Sequence, residues 1–174
     1  MNTMLENVQA ILSTTPERWQ RLVSTLSTDL LTRPPAAGEW SAVTCLQHLV
    51  VTERVLYPVR FRAFLTGQSF VDFDPNQRYA EYDSQTPEQL AAEFARYRQE
   101  NLALFKQVKD DDLRRTTQHP KLGTVTLAEM LHTWAAHDLN HTVQAERALM
   151  QPFMSGCGPW RSFFQDHEIS AVKQ

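Results

Sequence analysis

Glycine is scarce, with five in 174 residues, and cysteine scarcer, with two. Two cysteines, Cys45 and Cys157, are too few for a disulfide framework and fit a reducing compartment. No apolar run approaches the ~18–20 residues that a membrane span requires. The opening MNTMLENVQA has neither the basic start nor the apolar core of a secretory leader, so the expected location is the cytoplasm. Charge of one sign is also missing. Seventeen basic and twenty acidic residues, interleaved along the chain, leave a net charge of −3. Nothing here favours a nucleic-acid phosphate backbone or a membrane surface. Repeats, low-complexity tracts and composition shifts are absent too, so residues 1–174 read as a single domain.

What is present is helical period. Several segments repeat their apolar residues near every 3.6 positions, which with so little glycine predicts an all-α fold. The first helical region runs from Thr3 to Leu26, with Trp19, Leu22, Val23 and Leu26 as its stripe. Thr14-Thr15-Pro16 interrupts it, leaving two helices or one kinked helix open. "TRPPAAGEW" then breaks the chain. A second helix is expected from Ser41, as N-cap, to Leu65. Its seam is Cys45, Leu49, Thr52, Leu56, Val59 and Ala63, and Pro58 predicts a kink. Residues 67–85, polar and aromatic without period, read as a long crossover loop.

A third helix opens at "TPEQ", with Thr86 and Gln89 as a capping box. Its stripe is Leu90, Phe94, Tyr97, Leu104 and Val108, with Asn101 a polar interruption, and it ends before Asp110. "QHPKLG" reads as loop. The fourth helix has the clearest start, a Thr126–Glu129 capping box with Val125 and Met130 placed as a hydrophobic staple. Residues 151–174 form a C-terminal extension. Four long helices, with one long crossover between the second and third, describe a four-helix bundle.

Chemistry concentrates in the histidines, of which there are six. At about 100° per residue, Leu127, Met130, Trp134, His141, Ala145 and Ala148 share one face of the fourth helix. His137 lies at the edge of that face, and His132 points away. An i, i+4 pair such as His137 and His141 can present two imidazoles to one ion. On spacing alone, two half-buried histidines bonded to backbone or water explain the pair equally well. His48 lies beside the seam of the second helix, from which it could meet the pair across the interior. Three neutral imidazoles with a fourth position open is the arrangement of catalytic zinc. Asp138 is a candidate outer partner for an imidazole. Trp134 is a candidate pocket wall, though core is commoner. Cys45 is a candidate fourth ligand against the commoner reading of a buried apolar thiol. His119 reads as loop, His167 as exposed tail, and Cys157 lacks an activating neighbour.

At these residues the sequence resembles the DinB-like, or YfiT-like, superfamily of metal-dependent enzymes. The similar stretches are "GEWSAVTCLQHLVVTE" at 38–53, "HPKLGTVTLAEMLHTWAAHDLNHTVQAERAL" at 119–149 and the closing "GCGPWRSFF". The most specific part is one histidine after a "W-S" helix start, followed later by H-x-x-x-H. The resemblance implies an up-down-down-up bundle and a divalent ion, usually zinc or nickel, held by His48, His137 and His141. Family members with known activities include transferases and isomerases that use low-molecular-weight thiols such as bacillithiol or mycothiol; others are assigned as hydrolases by inference. Such bundles often dimerise, and the aromatic stretch 70–82 could serve an interface or a lid.

The expectation is therefore an enzyme that uses a three-histidine divalent site to activate water or a low-molecular-weight thiol toward a small-molecule substrate. The alternatives are a metal-dependent binding or stress-response protein without turnover, and a bundle whose histidines are only core.

Overall fold

The computed structural model describes residues 3–74 and 79–169. Residues 75–78 of the expected crossover and 170–174 of the expected C-terminal extension lie outside them. Among the described residues no helix is long and apolar enough to cross a membrane.

The first helix, α1 (Thr3–Thr25), runs unbroken through Pro16. Proline cannot donate to the carbonyl four residues back. The freed carbonyl, Leu12 O, accepts instead from Arg98 Nη1 at 2.7 Å, and the Thr15 hydroxyl bonds back to Ile11 O at 2.9 Å. A short α2 (Thr28–Thr32) follows. The expected second helix is one run in three parts: α3 (Ala42–Val51), a π-helical turn at Thr52–Leu56, and α4 (Tyr57–Thr66). Ser41 caps it, its Oγ accepting from Thr44 N at 3.2 Å. Pro58, where a kink is expected, follows directly on that wide turn. Tyr57 N–H donates to Thr52 O, five residues back. In the same register Pro58 would serve Glu53 O but has no N–H. Asn101 Nδ2 fills the vacancy at 2.7 Å.

One extra residue in a turn also advances every later side chain by about 100°. Val59, expected in the seam, is thereby turned outward and 39% exposed, while Tyr57, Phe61 and Phe64 are buried in the role it was expected to share.

The third long helix, α5 (Pro87–Phe105), begins with the expected capping box and ends a turn earlier than expected. Its buried face includes Arg98, Asn101 and Phe105, whereas Leu104 is only partly covered. The segment around "QHPKLG" is not plain loop. It forms a hairpin, β1 (Thr116–His119) against β2 (Gly123–Thr126), antiparallel with His119 opposite Gly123. Gly123 takes φ +76°, a left-handed conformation that favours glycine. The hairpin anchors the start of the crossover, since Phe70 N donates to Gln118 O at 2.9 Å. The last long helix, α6 (Leu127–Gly156), starts at the Thr126–Glu129 box.

Two apolar clusters fix the helix directions. One joins the end of α1 (Trp19, Val23), the start of α3 (Leu46, Leu49), the start of α5 (Leu90, Phe94) and the end of α6 (Ala145, Leu149). The other joins the start of α1 (Val8, Leu12), α4 (Tyr57, Phe61), the end of α5 (Phe105) and the start of α6 (Leu127, Trp134). The order is up-down-down-up. Two consecutive parallel helices oblige residues 67–86 to return the length of the bundle.

Candidate metal centre

Helix α6 buries Leu127, Met130, Trp134, His141, Ala145 and Ala148 on one face, leaves His132 exposed and half-buries His137. Helix α3 runs antiparallel beside it and brings in His48, also half-buried. One ring nitrogen from each of His48, His137 and His141 can be chosen so that all three lie within 4.8 Å of one another. The Nε2 atoms of His48 and His137 face each other at 3.1 Å. The His141 ring centroid stands 4.5 Å from each of the other two.

Burial pushes His137 down to about 3, helped by the neighbouring His141 and His48 rings and by Arg98 and Arg60. Burial also lowers His141, against a hydrogen bond to Gln144 that raises it. Both are neutral at pH 7, the state in which imidazole ligates. His141 Nδ1–H donates to Gln144 Oε1 at 2.9 Å, which leaves its Nε2 as the free donor atom. His137 Nδ1 is buried without a partner among the described residues. The donor set fits a divalent ion. Zinc–nitrogen bonds of ~2.0–2.1 Å at tetrahedral angles hold their nitrogens about 3.3 Å apart, close to the His48–His137 spacing.

Trp40 closes one side, stacked on His141 at 5.7 Å and 19° and tilted to His48 at 5.2 Å. It is carried by the turn in which Glu39 N donates to Ala36 O, with Gly38 at φ +83°. Neither Trp40 nor Gln144 stood out from spacing, although Trp40 lies immediately before the Ser41 cap and Gln144 follows His141 by three.

The other candidates lie elsewhere. Asp138 is fully buried, but its carboxylate accepts from Arg98 Nη1 and Nη2 at 2.7 and 2.8 Å and orients no imidazole. Trp134 takes the commoner role of core. It is fully buried in the core, stacked on Tyr57 at 4.6 Å, with its indole N–H donating to Glu53 Oε1 at 2.7 Å. Cys45 is fully buried in the apolar cluster; burial pushes its thiol up to about 12, and it is not in the three-histidine group. His119 packs on Phe70 at 5.9 Å, and His167 is exposed.

Behind the histidines sits a buried charged layer of Glu53, Arg98 and Asp138, of which only Asp138 stood out from the sequence, in another role. Glu53 accepts from Arg98 Nη2 at 2.8 Å and from Asn101 Nδ2 at 2.9 Å, while Arg98 grips Asp138. Burial alone would lower the Arg98 guanidinium, but Glu53 and Asp138 beside it raise it overall, so it stays charged. The signal was present: Arg98 follows Phe94 by four and precedes Asn101 by three, on the covered side of α5.

The sequence profile of the DinB superfamily matches residues 11–145, a span that contains all three histidines. Among solved structures the chain is similar to YfiT from Bacillus subtilis, described as a probable metal-dependent hydrolase with an unusual four-helix bundle topology. The TM-score is 0.76 at 18% identity, covering 88% of this chain and 89% of that one, a likeness of fold. No curated protein matches the chain.

Proposed function

The chain belongs to the DinB superfamily, and from that premise we propose that it is a metal-dependent enzyme whose ion is held by His48, His137 and His141. The observation that carries this reading is the convergence of three imidazoles from two helices, two of them held neutral by burial. A divalent ion there supplies Lewis acidity and makes water or a thiol nucleophilic at neutral pH. Three neutral ligands leave the ion its full charge, which favours an anionic nucleophile over a neutral one. Zinc and nickel are the proposed metals, and hydrolysis or transfer to a low-molecular-weight thiol is the proposed chemistry.

The chain's own residues set the conditions for that chemistry. Gln144 fixes the His141 tautomer, Trp40 shields one side of the rings from water, and Glu53 with Arg98 braces α3 and α4 against α5. No side chain in the described set is assigned as general acid or base.

The test is a screen of ester and amide hydrolysis and of thiol conjugation, run on wild type and His141→Ala. Loss of a Lewis acid removes several kcal/mol of transition-state stabilisation, so activity should fall at least about 100-fold. Activity that survives the substitution overturns the metal mechanism.

A further inference from the structure

Beyond the triad, the π-helical turn, α4 and the first part of the crossover line a partly open pocket of about 220 Å³. Its apolar lining includes Val55, Val59, Phe70 and Phe73, and Asp72 and Asp74 line it as well. Arg60 lines the same pocket. Its guanidinium lies 5.1 Å from the Phe70 ring centroid, and its Nε is buried without a hydrogen-bond partner. No carboxylate among the described residues forms an ion pair with it, whereas the fully buried Arg98 has two. Burial lowers the Arg60 guanidinium. A partly desolvated cation with no carboxylate partner gains from pairing with an anionic ligand.

The pocket shares a helical run with His48. Val55 follows His48 by seven residues, about two helical turns or 10 Å. Tyr57 packs edge-on to His137 at 5.9 Å, and the Arg60 charge is felt at both residues.

We propose that this pocket binds the body of a small apolar carboxylate, with the carboxylate clamped by Arg60 and the opposite end directed at the three histidines. The guanidinium fork matches a carboxylate bidentately. Asp72 and Asp74 also line the pocket and repel a dianion such as a phosphate ester about twice as strongly as a monoanion. Asp72 is itself engaged by Lys121 at 3.4 Å. Size points the same way, because a cavity of ~150 Å³ accepts benzene, so this one takes an aryl ring with a short acid arm. The pocket assignment stands without a metal, while the direction of the far end rests on the metal reading above.

The experiment is an NMR amide-shift titration of chelator-treated, metal-free protein with phenylacetate and with neutral phenylacetamide. Phenylacetate should shift Val55, Val59 and Phe70 and saturate, with the amide at least about tenfold weaker, the worth of one charge-assisted hydrogen bond. Arg60→Met should lose the acid's advantage and Arg60→Lys keep part of it. Val59 is exposed enough to accept a larger side chain. Val59→Trp should therefore block the pocket with Arg60 intact, a check that does not depend on how Arg60→Met folds. Equal binding of acid and amide, shifts outside the pocket, undiminished binding to Arg60→Met, or no saturation in wild type would each overturn the pocket. Cobalt(II) is then added to the same samples. Paramagnetic broadening of bound phenylacetate in wild type, absent in His141→Ala, supports the direction of the far end. Stoichiometric cobalt without broadening overturns that direction, whereas failure to bind cobalt overturns the metal reading and leaves the pocket standing.

Discussion

Imidazole binds a cation and imidazolium does not, so the state of His137 decides whether the triad is ready to ligate at neutral pH. Its folded value of about 3 lies well below the ordinary 6.5. Between those values the unfolded chain binds the proton more readily, so stability falls as pH drops from 6.5 toward 3. From pH 7 to pH 5 this group alone costs metal-free protein about 2 kcal/mol. Urea unfolding at the two pH values should show His137→Gln losing about that much less than wild type, and parallel losses would contradict a buried neutral His137. Gln144→Ala frees the His141 ring and should weaken metal affinity about 10–100-fold, measured by chelator competition. Helix period showed that His48 could meet the i, i+4 pair, and the family resemblance named the three together. Trp40 and Gln144 were not, because a stacked ring and an amide acceptor are recognised by where they point.

Two prolines shape the helices, and one helix repairs both. Pro16 frees Leu12 O, which Arg98 fills, and in the π register Pro58 leaves Glu53 O to Asn101. Residues 98 and 101 are neighbours on one face of α5, so the polar stripe there answers two backbone defects as well as two buried carboxylates. Arg98→Met should cost about 3–5 kcal/mol in urea unfolding, since it strands Glu53 and Asp138 without their cation. Asn101→Ala should cost about 1–3 kcal/mol, and less in a Pro58→Ala background where a backbone N–H is restored. Strict additivity of those two changes would show that they do not share the Glu53 carbonyl. The capping boxes at Thr86 and Thr126 were legible because they are local. The π turn was not, as periodicity counts residues at a constant 100°, and the inserted residue turned Val59 out of the seam. Arg98 was passed over because a charge on a helix is usually solvated. The hairpin at 116–126 escaped because four-residue strands carry too little alternation to register.

For the whole molecule, the bundle order places α3 and α6 side by side, so an ion held by His48, His137 and His141 ties together two elements separated by most of the chain. Binding to the folded state alone then stabilises it by about 2.7 kcal/mol at a hundredfold excess over Kd, a rise in Tm on the order of 5–10 °C for a domain of this size. The bundle and its crossover were legible from four periodic segments, three of them capped, and one aperiodic stretch. What occupies the open position beside the histidines was not, since a fold carries many chemistries. The most direct test of the central claim is the metal content of protein purified without a histidine tag. Wild type should carry about one equivalent of divalent metal, and His48→Ala and His141→Ala, each on a different helix, should both fall below about 0.2. Wild-type protein below that level, or a His48→Ala variant that keeps its full equivalent, would contradict a shared three-histidine site.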